Sequence, residues 1–327
     1  MTASPPLAPV FVGGPLRAGT TLLGSLIAGD PYTVCLPESP FLTDIVTETG
    51  PLDQTAADAL FERIRRTRPF LAWLEQGPYT PPVMTPERNG AVCFVEDLVR
   101  QYAVHTGKPD AVRFVDHTPQ NVLRTDLLRA RFPNARFVTI VRDGRAVAAS
   151  VLPLDFGPDE IIGAARMWLR YTGAGLAAHY ALGPDVCRIV RFEDLVRNPA
   201  PVLSMIASHC AMPSPAGHDV QGGFRVPGFN RSIHGLVGQA PDPERIEAWR
   251  RALSSRQVRI FEHEAGDVLR YLGYALDNPQ PCRGPGRLER IGFEIAAYIR
   301  GRRNRRREAR VYERFAQALR DRMGREP

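Results

Sequence analysis

The chain has 327 residues, 44% apolar and 24% charged, a globular composition long enough to bury the core of one large domain. No apolar run reaches 18 residues, and the opening MTASPPLAPVF has no basic stretch leading into an apolar one. Neither a membrane span nor a signal peptide is expected, and the cytoplasm is the default location. The formal net charge of +7 is uneven: residues 283–327 hold 14 arginines and six acidic residues, which leaves 28 basic against 29 acidic side chains in the other 282. The basicity therefore belongs to the tail. Five cysteines (35, 93, 187, 210 and 282), odd in number, far apart and without a C-x-x-C pair, argue against a disulfide framework and against a zinc site.

The first element is an apolar β-type run, Val10 to Val12, that enters Gly13, Gly14, Pro15 and Gly19 and then an amphipathic helical pattern from Thr20. Strand, glycine loop and helix in that order turn backbone N–H groups and the positive helix end toward one point, which suits phosphate or sulfate. Gly19 permits close backbone approach, Thr20 and Thr21 offer hydroxyls, and Arg17 is the loop's one cation. Gly14 to Thr21 also spells G-x-x-x-x-G-T-T, close to the loop of nucleotide kinases and NTPases, but Thr20 stands where that motif needs its lysine.

Glu38 follows in the proline-punctuated CLPESPF, as an ordinary surface glutamate, a cap to the next helix, or a carboxylate facing the loop. His117 in VDHTP closes a strand candidate. It is either a histidine hydrogen-bonded at a strand end or a base whose neutral imidazole suits physiological pH. The apolar run Phe137 to Val141 ends in Arg142, and the helical pattern after it carries Ser150. Eight residues apart across a strand-to-helix turn, a guanidinium and a hydroxyl can grip one phosphate from two sides at the carboxyl end of a sheet.

Strand candidates at 9–13, 112–116, 136–142 and 186–192 alternate with helical patterns at 20–29, 56–75, 90–105, 120–131, 144–152, 159–182, 199–210 and 244–272. Such alternation predicts an α/β architecture, a parallel sheet covered by helices on both faces. Pro/Gly-rich stretches at 77–90, 212–241 and 278–286 read as loops, and the last divides a domain over 1–282 from a basic tail over 283–327. In the tail, RGRRNRRREAR sits between two helical patterns, Leu288/Ile291/Ile295/Ile299 and Val311/Phe315/Leu319. These predict two amphipathic helices packed on the body or on a second subunit, as in a homodimer, or a patch for anionic lipid, nucleic acid or an acidic substrate.

PLRAGTTLL and RDGRAVAAS resemble the 5′-phosphosulfate loop and the 3′-phosphate motif of the sulfotransferases that use 3′-phosphoadenosine 5′-phosphosulfate (PAPS), most closely the tyrosylprotein-sulfotransferase-like branch. DPYTVCLPESPF, VDHTPQN, RFPNARF, VRFEDLVRNP and Arg231-Ser232 followed by Trp249 continue the resemblance in order, to YLGY at 271–274. The usual loop is PRSGTT; here Leu16 stands between proline and arginine, and Ala18 replaces serine.

The resemblance implies a P-loop NTPase-like parallel sheet with an Arg-rich helical extension. It implies PAPS as sulfuryl donor, held by Arg17, Ala18, Gly19, Thr20, Thr21, Arg142, Ser150, Phe192 and Ser232, with no required metal. The implied acceptor is a hydroxyl on a small metabolite, saccharide, lipid or peptide tyrosine. Glu38 is the implied base, Arg17 the group for leaving-group charge and Ser232 a stabiliser of the sulfuryl. His117 is the rival base, because cytosolic sulfotransferases carry a histidine in a similar place whereas the closer branch has a lysine. Phe192 replaces the usual tyrosine and can pack against adenine, and Leu154 stands where the tyrosylprotein enzymes have a further basic ligand. Two other readings remain: a nucleotide kinase or NTPase on the same fold, and a non-catalytic binding protein with a polyanion-binding tail.

Overall fold

Five strands, β1 (Ala8–Gly13), β2 (Thr33–Leu36), β3 (Arg113–Asp116), β4 (Arg136–Val141) and β5 (Cys187–Arg191), form one parallel sheet of order β2-β3-β1-β4-β5. The structure is a computed structural model, and it describes residues 6–212, 243–278 and 281–323. Side chains alternate across β1, so Val10 and Val12 enter one apolar cluster with Leu23, Val147, Trp168 and Phe261, and Phe11 enters another with Phe70, Trp73, Phe94 and Phe114. Burial on both faces explains the nearly continuous apolar runs of β1 and β4.

The helices are α1 (Thr20–Ile27), α2 (Pro40–Ile45), α3 (Gln54–Ile64), α4 (Arg68–Leu74), α5 (Ala91–His105), α6 (Thr125–Arg131), α7 (Gly144–Val151) and α8 (Ile161–Leu182). They continue as α9 (Phe192–Arg197), α10 (Pro199–His209), α11 (Glu244–Glu247), α12 (Trp249–Ala252), α13 (Ser255–Tyr271) and α14 (Arg287–Met323). All four strand candidates are strands. β2 escaped the sequence reading, because four residues inside a proline-bounded motif carry no measurable period. The pattern over 56–75 is two helices, α4 restarting with a proline in its first turn, and 244–272 is three, with Ser254 and Gln257 closing a capping box on α13.

The tail corrects the expectation of two helices. It is one helix of 37 residues, since arginine is a good helix former and the RGRRNRRREAR segment holds no proline to interrupt it. Gly301 is buried there against Asp159, where a Cβ would stand 2.9 Å from the carboxylate. α14 is fastened along its length by Arg290 to Glu264 (3.1 Å), Asn304 to Asp159 (2.9 Å) and Arg307 to Asp155 (3.0 Å), and by Phe315 and Ala316 on Leu71 of α4. All five cysteines are free thiols, and among the described residues no helix is long and apolar enough to cross a membrane.

Candidate active site

The chain leaves β1 for β2 on one side and later crosses from β3 to β4 on the other, so the order reverses at β1 and opens a crevice at the carboxyl ends of β1 and β4. The glycine loop fills that edge. A Cβ on Gly14 would strike the Ile140 carbonyl, and one on Gly19, at φ 106, would stand 2.7 Å from the Phe192 ring. Both glycines let the loop lie flat on its neighbours. Arg17 has φ 67, a left-handed conformation costly for a residue with a side chain; Ala18 N–H donating to Pro15 O (3.0 Å) and Arg142 Nη1 donating to Arg17 O (3.0 Å) hold it there. α1 starts at buried Thr20 and Thr21 with no side-chain cap, leaving its first N–H groups to face the loop.

Four predicted residues meet here. Arg17 Nε donates to Ser150 Oγ (3.2 Å), Arg142 clamps the Arg17 carbonyl, and the Arg142 guanidinium lies 4.2 Å over Phe192. Phe192 is only 7% exposed, so its ring serves as the support for Arg142 and Gly19. Arg142 Nη2 also donates to Arg245 O (3.1 Å) at α11, which brings in a cation that the motifs did not name. Burial pushes Arg142 down to about 10, with Arg17 and Arg245 adding to the fall and Glu193 and Asp143 opposing it. Arg17 is likewise lowered by burial and by Arg245. Arg142 Nε is buried with no hydrogen-bond partner among the described residues. A buried guanidinium N–H of this kind, in the field of Arg17 and Arg245, is suited to an anion.

Parallel pairing of Leu36 with Asp116 brings the ends of β2 and β3 level, and the segment after each is tied to the other. Thr118 donates to Asp116 through N–H (2.9 Å) and Oγ1 (2.5 Å), Ser39 N–H donates to Thr118 Oγ1 (2.7 Å), and Trp73 Nε1 donates to Ser39 Oγ (2.9 Å). Glu38 is thereby fixed between Pro37 and the pinned Ser39. Burial and then the Asp116 carboxylate push its carboxyl up to about 7, while Arg17 pulls it down. Glu38 therefore shares the field of the loop arginine, though it remains partly exposed. Asp116 is itself raised to about 6 by burial, against the hydrogen bonds from Thr118 and Asn121. His117 is 1% exposed and lies behind α1, its Cβ 2.8 Å from where a Cβ on Gly24 would be. Ser232 and Arg231 fall outside the described residues.

Residues 9–216 match the sulfotransferase family. The chain belongs to the sulfotransferases. A protein-tyrosine sulfotransferase of Drosophila melanogaster is 24% identical over 196 residues, which make up 58% of this chain and 35% of that protein. The match thus spans about a third of that relative's length. The sulfotransferase domain of the Synechococcus PCC 7002 olefin synthase superposes with a TM-score of 0.54 at 18% identity, covering 84% of this chain and 98% of the domain. A sulfotransferase domain from the curacin biosynthetic pathway gives 0.52 at 16% identity, covering 84% and 100%. Both share its fold.

Behind the site, this sulfotransferase builds a buried ionic frame. Arg145, 2% exposed, pairs with Asp143 (2.8 Å) and Glu262 (2.6 Å), donates to Ala275 O (2.8 Å) and stacks 4.2 Å over Trp249. Glu193 accepts from Asp143 N–H and from Tyr274 Oη, both at 3.0 Å. These contacts give VRFEDLVRNP, Trp249 and YLGY one shared task, fixing the backbone that carries Arg142. Tyr171 on α8 also lies in the field of Glu38: burial raises its phenol, Arg170 lowers it and Glu38 raises it further. The sulfotransferase's single lysine, Lys108, is spent elsewhere, donating to Ala28 O, Asp30 O and Thr33 O at 2.7–2.9 Å beyond the far end of α1. No lysine is left to serve the loop.

Proposed function

We propose that the protein transfers a sulfuryl group from PAPS to a hydroxyl, with Glu38 taking the acceptor proton. The observation that carries this reading is the meeting of Arg17, Arg142 and Ser150 at the crevice, with the raised carboxyl of Glu38 in the field of Arg17. The residues fit such a donor: Gly14 and Gly19 make the shallow cradle, and the buried Arg142 Nε, in the field of Arg17 and Arg245, suits an anion.

Bound PAPS would supply an activated S–O bond whose leaving group is a stable phosphate. Arg142 and Ser150 grip the 3′-phosphate, and the loop amides with Thr20 and Thr21 hold the 5′ end. Arg17 offers its guanidinium to the charge that grows on the bridging oxygen as that S–O bond breaks. Glu38 removes the proton from the acceptor oxygen as the new O–S bond forms, and a carboxyl near 7 is matched to the operating pH. Tyr171, whose phenol feels the Glu38 carboxylate, is the residue next in line to meet an acceptor on that side. Because the Drosophila relative is a protein-tyrosine sulfotransferase, peptide tyrosine heads the acceptor panel, followed by saccharides, lipids and phenolic metabolites. Incubation with labelled PAPS and that panel tests the reading, and label that stays on PAPS or is only released as free sulfate with every acceptor overturns it.

Two variants probe the roles. Arg142→Ala and Ser150→Ala are each expected to weaken adenosine 3′,5′-bisphosphate by about 10- to 150-fold, the equivalent of about 1.5–3 kcal/mol for a hydrogen bond to a charged group, and to weaken a 5′-monophosphate far less. Equal losses for both nucleotides in calorimetry would remove the 3′-phosphate assignment. Arg17→Ala is expected to lower the single-turnover rate more than PAPS affinity, since its charge acts most on the transition state. A raised dissociation constant with an unchanged rate would restrict Arg17 to ground-state binding.

A further inference from the structure

The first half of α14 turns Leu288, Ile291, Ile295, Tyr298 and Ile299 to solvent, each at least 51% exposed. Spacings of three and four residues place them on one face of the helix. The opposite face is the one that docks: Phe293 packs on the core, Gly301 is buried against Asp159, and Asn304 bonds the same carboxylate. One turn further on, exposed Arg302 and Arg306 continue the apolar row, and the Arg302 guanidinium lies 5.9 Å over the Tyr298 ring. Beside them Arg303, Arg310 and Arg314 line a cleft of about 840 Å³ with Arg300 and Arg307.

We propose that this face of α14 docks on a bilayer with anionic headgroups, the isoleucines and Leu288 entering the interface and the arginines pairing with lipid phosphates. The apolar row runs about 17 Å along the helix, from Leu288 to Ile299, and the arginines extend the same contact line. A helix lying in the interface gains from both parts, because apolar burial and attraction to anionic lipid add, and arginine stems reach back to the phosphates. The other occupants each leave one part unused. A second copy packed in parallel sets arginines on arginines, and an antiparallel copy centred on the apolar row leaves the arginines beyond its end. Nucleic acid would engage the arginines and leave five large apolar side chains in water. The proposal does not rest on the sulfuryl-transfer reading.

Flotation of the full chain with vesicles of phosphatidylcholine alone, and of phosphatidylcholine mixed with phosphatidylglycerol, tests it. The mixed vesicles are expected to carry the protein, and added salt to release it. Ile291→Asn/Ile295→Asn should reduce partition by about tenfold or more, and Arg302→Gln/Arg306→Gln by about fivefold for each arginine removed. Thermal unfolding matching the wild type shows that both double variants are folded. Three results would overturn the proposal: no partition into mixed vesicles, equal partition into neutral ones, or binding that ignores the isoleucine substitutions, which would leave an arginine site for polyanions in solution. Self-association that the isoleucine variant abolishes, without vesicle binding, would instead assign the face to a second copy.

Discussion

Replacing Glu38 by glutamine is expected to lower the transfer rate by about 10²–10⁴-fold, the usual contribution of a positioned general base, and to leave PAPS affinity near the wild-type value. The amide keeps the shape of the side chain, and the neighbouring backbone stays pinned by Ser39 to Thr118 and Trp73. The wild-type rate should fall as pH drops through about 7, because below that value the carboxyl is protonated and cannot accept the acceptor proton. In the variant this limb disappears. Stability should move the other way: a carboxyl raised above its unfolded value holds its proton in the fold while the unfolded chain has lost it, so stability declines as pH rises from about 4.5 to about 7. Glu38→Gln removes that loss and should unfold at a higher temperature than the wild type at pH above 7. His117→Gln is expected to retain most of the transfer rate, since the ring packs behind α1 at Gly24. Single-turnover rates that collapse in His117→Gln and survive in Glu38→Gln would hand the base to the histidine.

The contrast between these two residues shows how far the sequence could be read. The glycine loop and the arginine at the end of β4 were legible, because a strand run that stops at glycines or at a cation leaves a local signature in the chain itself. Glu38 was visible only as a carboxylate between prolines. What raises its carboxyl is burial and then Asp116, and Asp116 is brought level by the pairing of β2 with β3, a contact between segments 80 residues apart in which β2 was too short to recognise. Arg245 was invisible for the same reason: it reaches the site because the α11 backbone accepts a hydrogen bond from Arg142. Phe192 was legible as an aromatic beside the site, but its burial under Arg142 depends on the packing of β5 against β4. Along α14 the periodic isoleucines were plain in the sequence, whereas the side that faces water was settled only by Asn304 and Gly301 meeting Asp159.

Arg145→Met is expected to be the most destabilising single substitution at the site, by about 3–5 kcal/mol, the usual cost of breaking a buried ion pair from one side. Methionine fills much of the same volume on Trp249 but supplies no donor. Asp143 would lose the paired bonds to Nε and Nη2, Glu262 would lose its Nη1 contact, and both carboxylates are at most 8% exposed. Glu262 retains the N–H groups of Asp277 and Asn278, so the greater share of the loss falls on Asp143. Arg145→Lys should fall between wild type and methionine, because an ammonium cannot span Asp143, Glu262 and the Ala275 carbonyl at once. The damage should reach function through the backbone, since Asp143 follows Arg142 directly and its N–H is held by Glu193. PAPS affinity of the folded variant is therefore expected to drop even though Arg145 lies outside the crevice. Urea unfolding measures the first effect and calorimetry with adenosine 3′,5′-bisphosphate the second. A stability loss of only about 0–1 kcal/mol, the range of a surface ion pair, would mean that water reaches the cluster and that the frame does not set the position of Arg142.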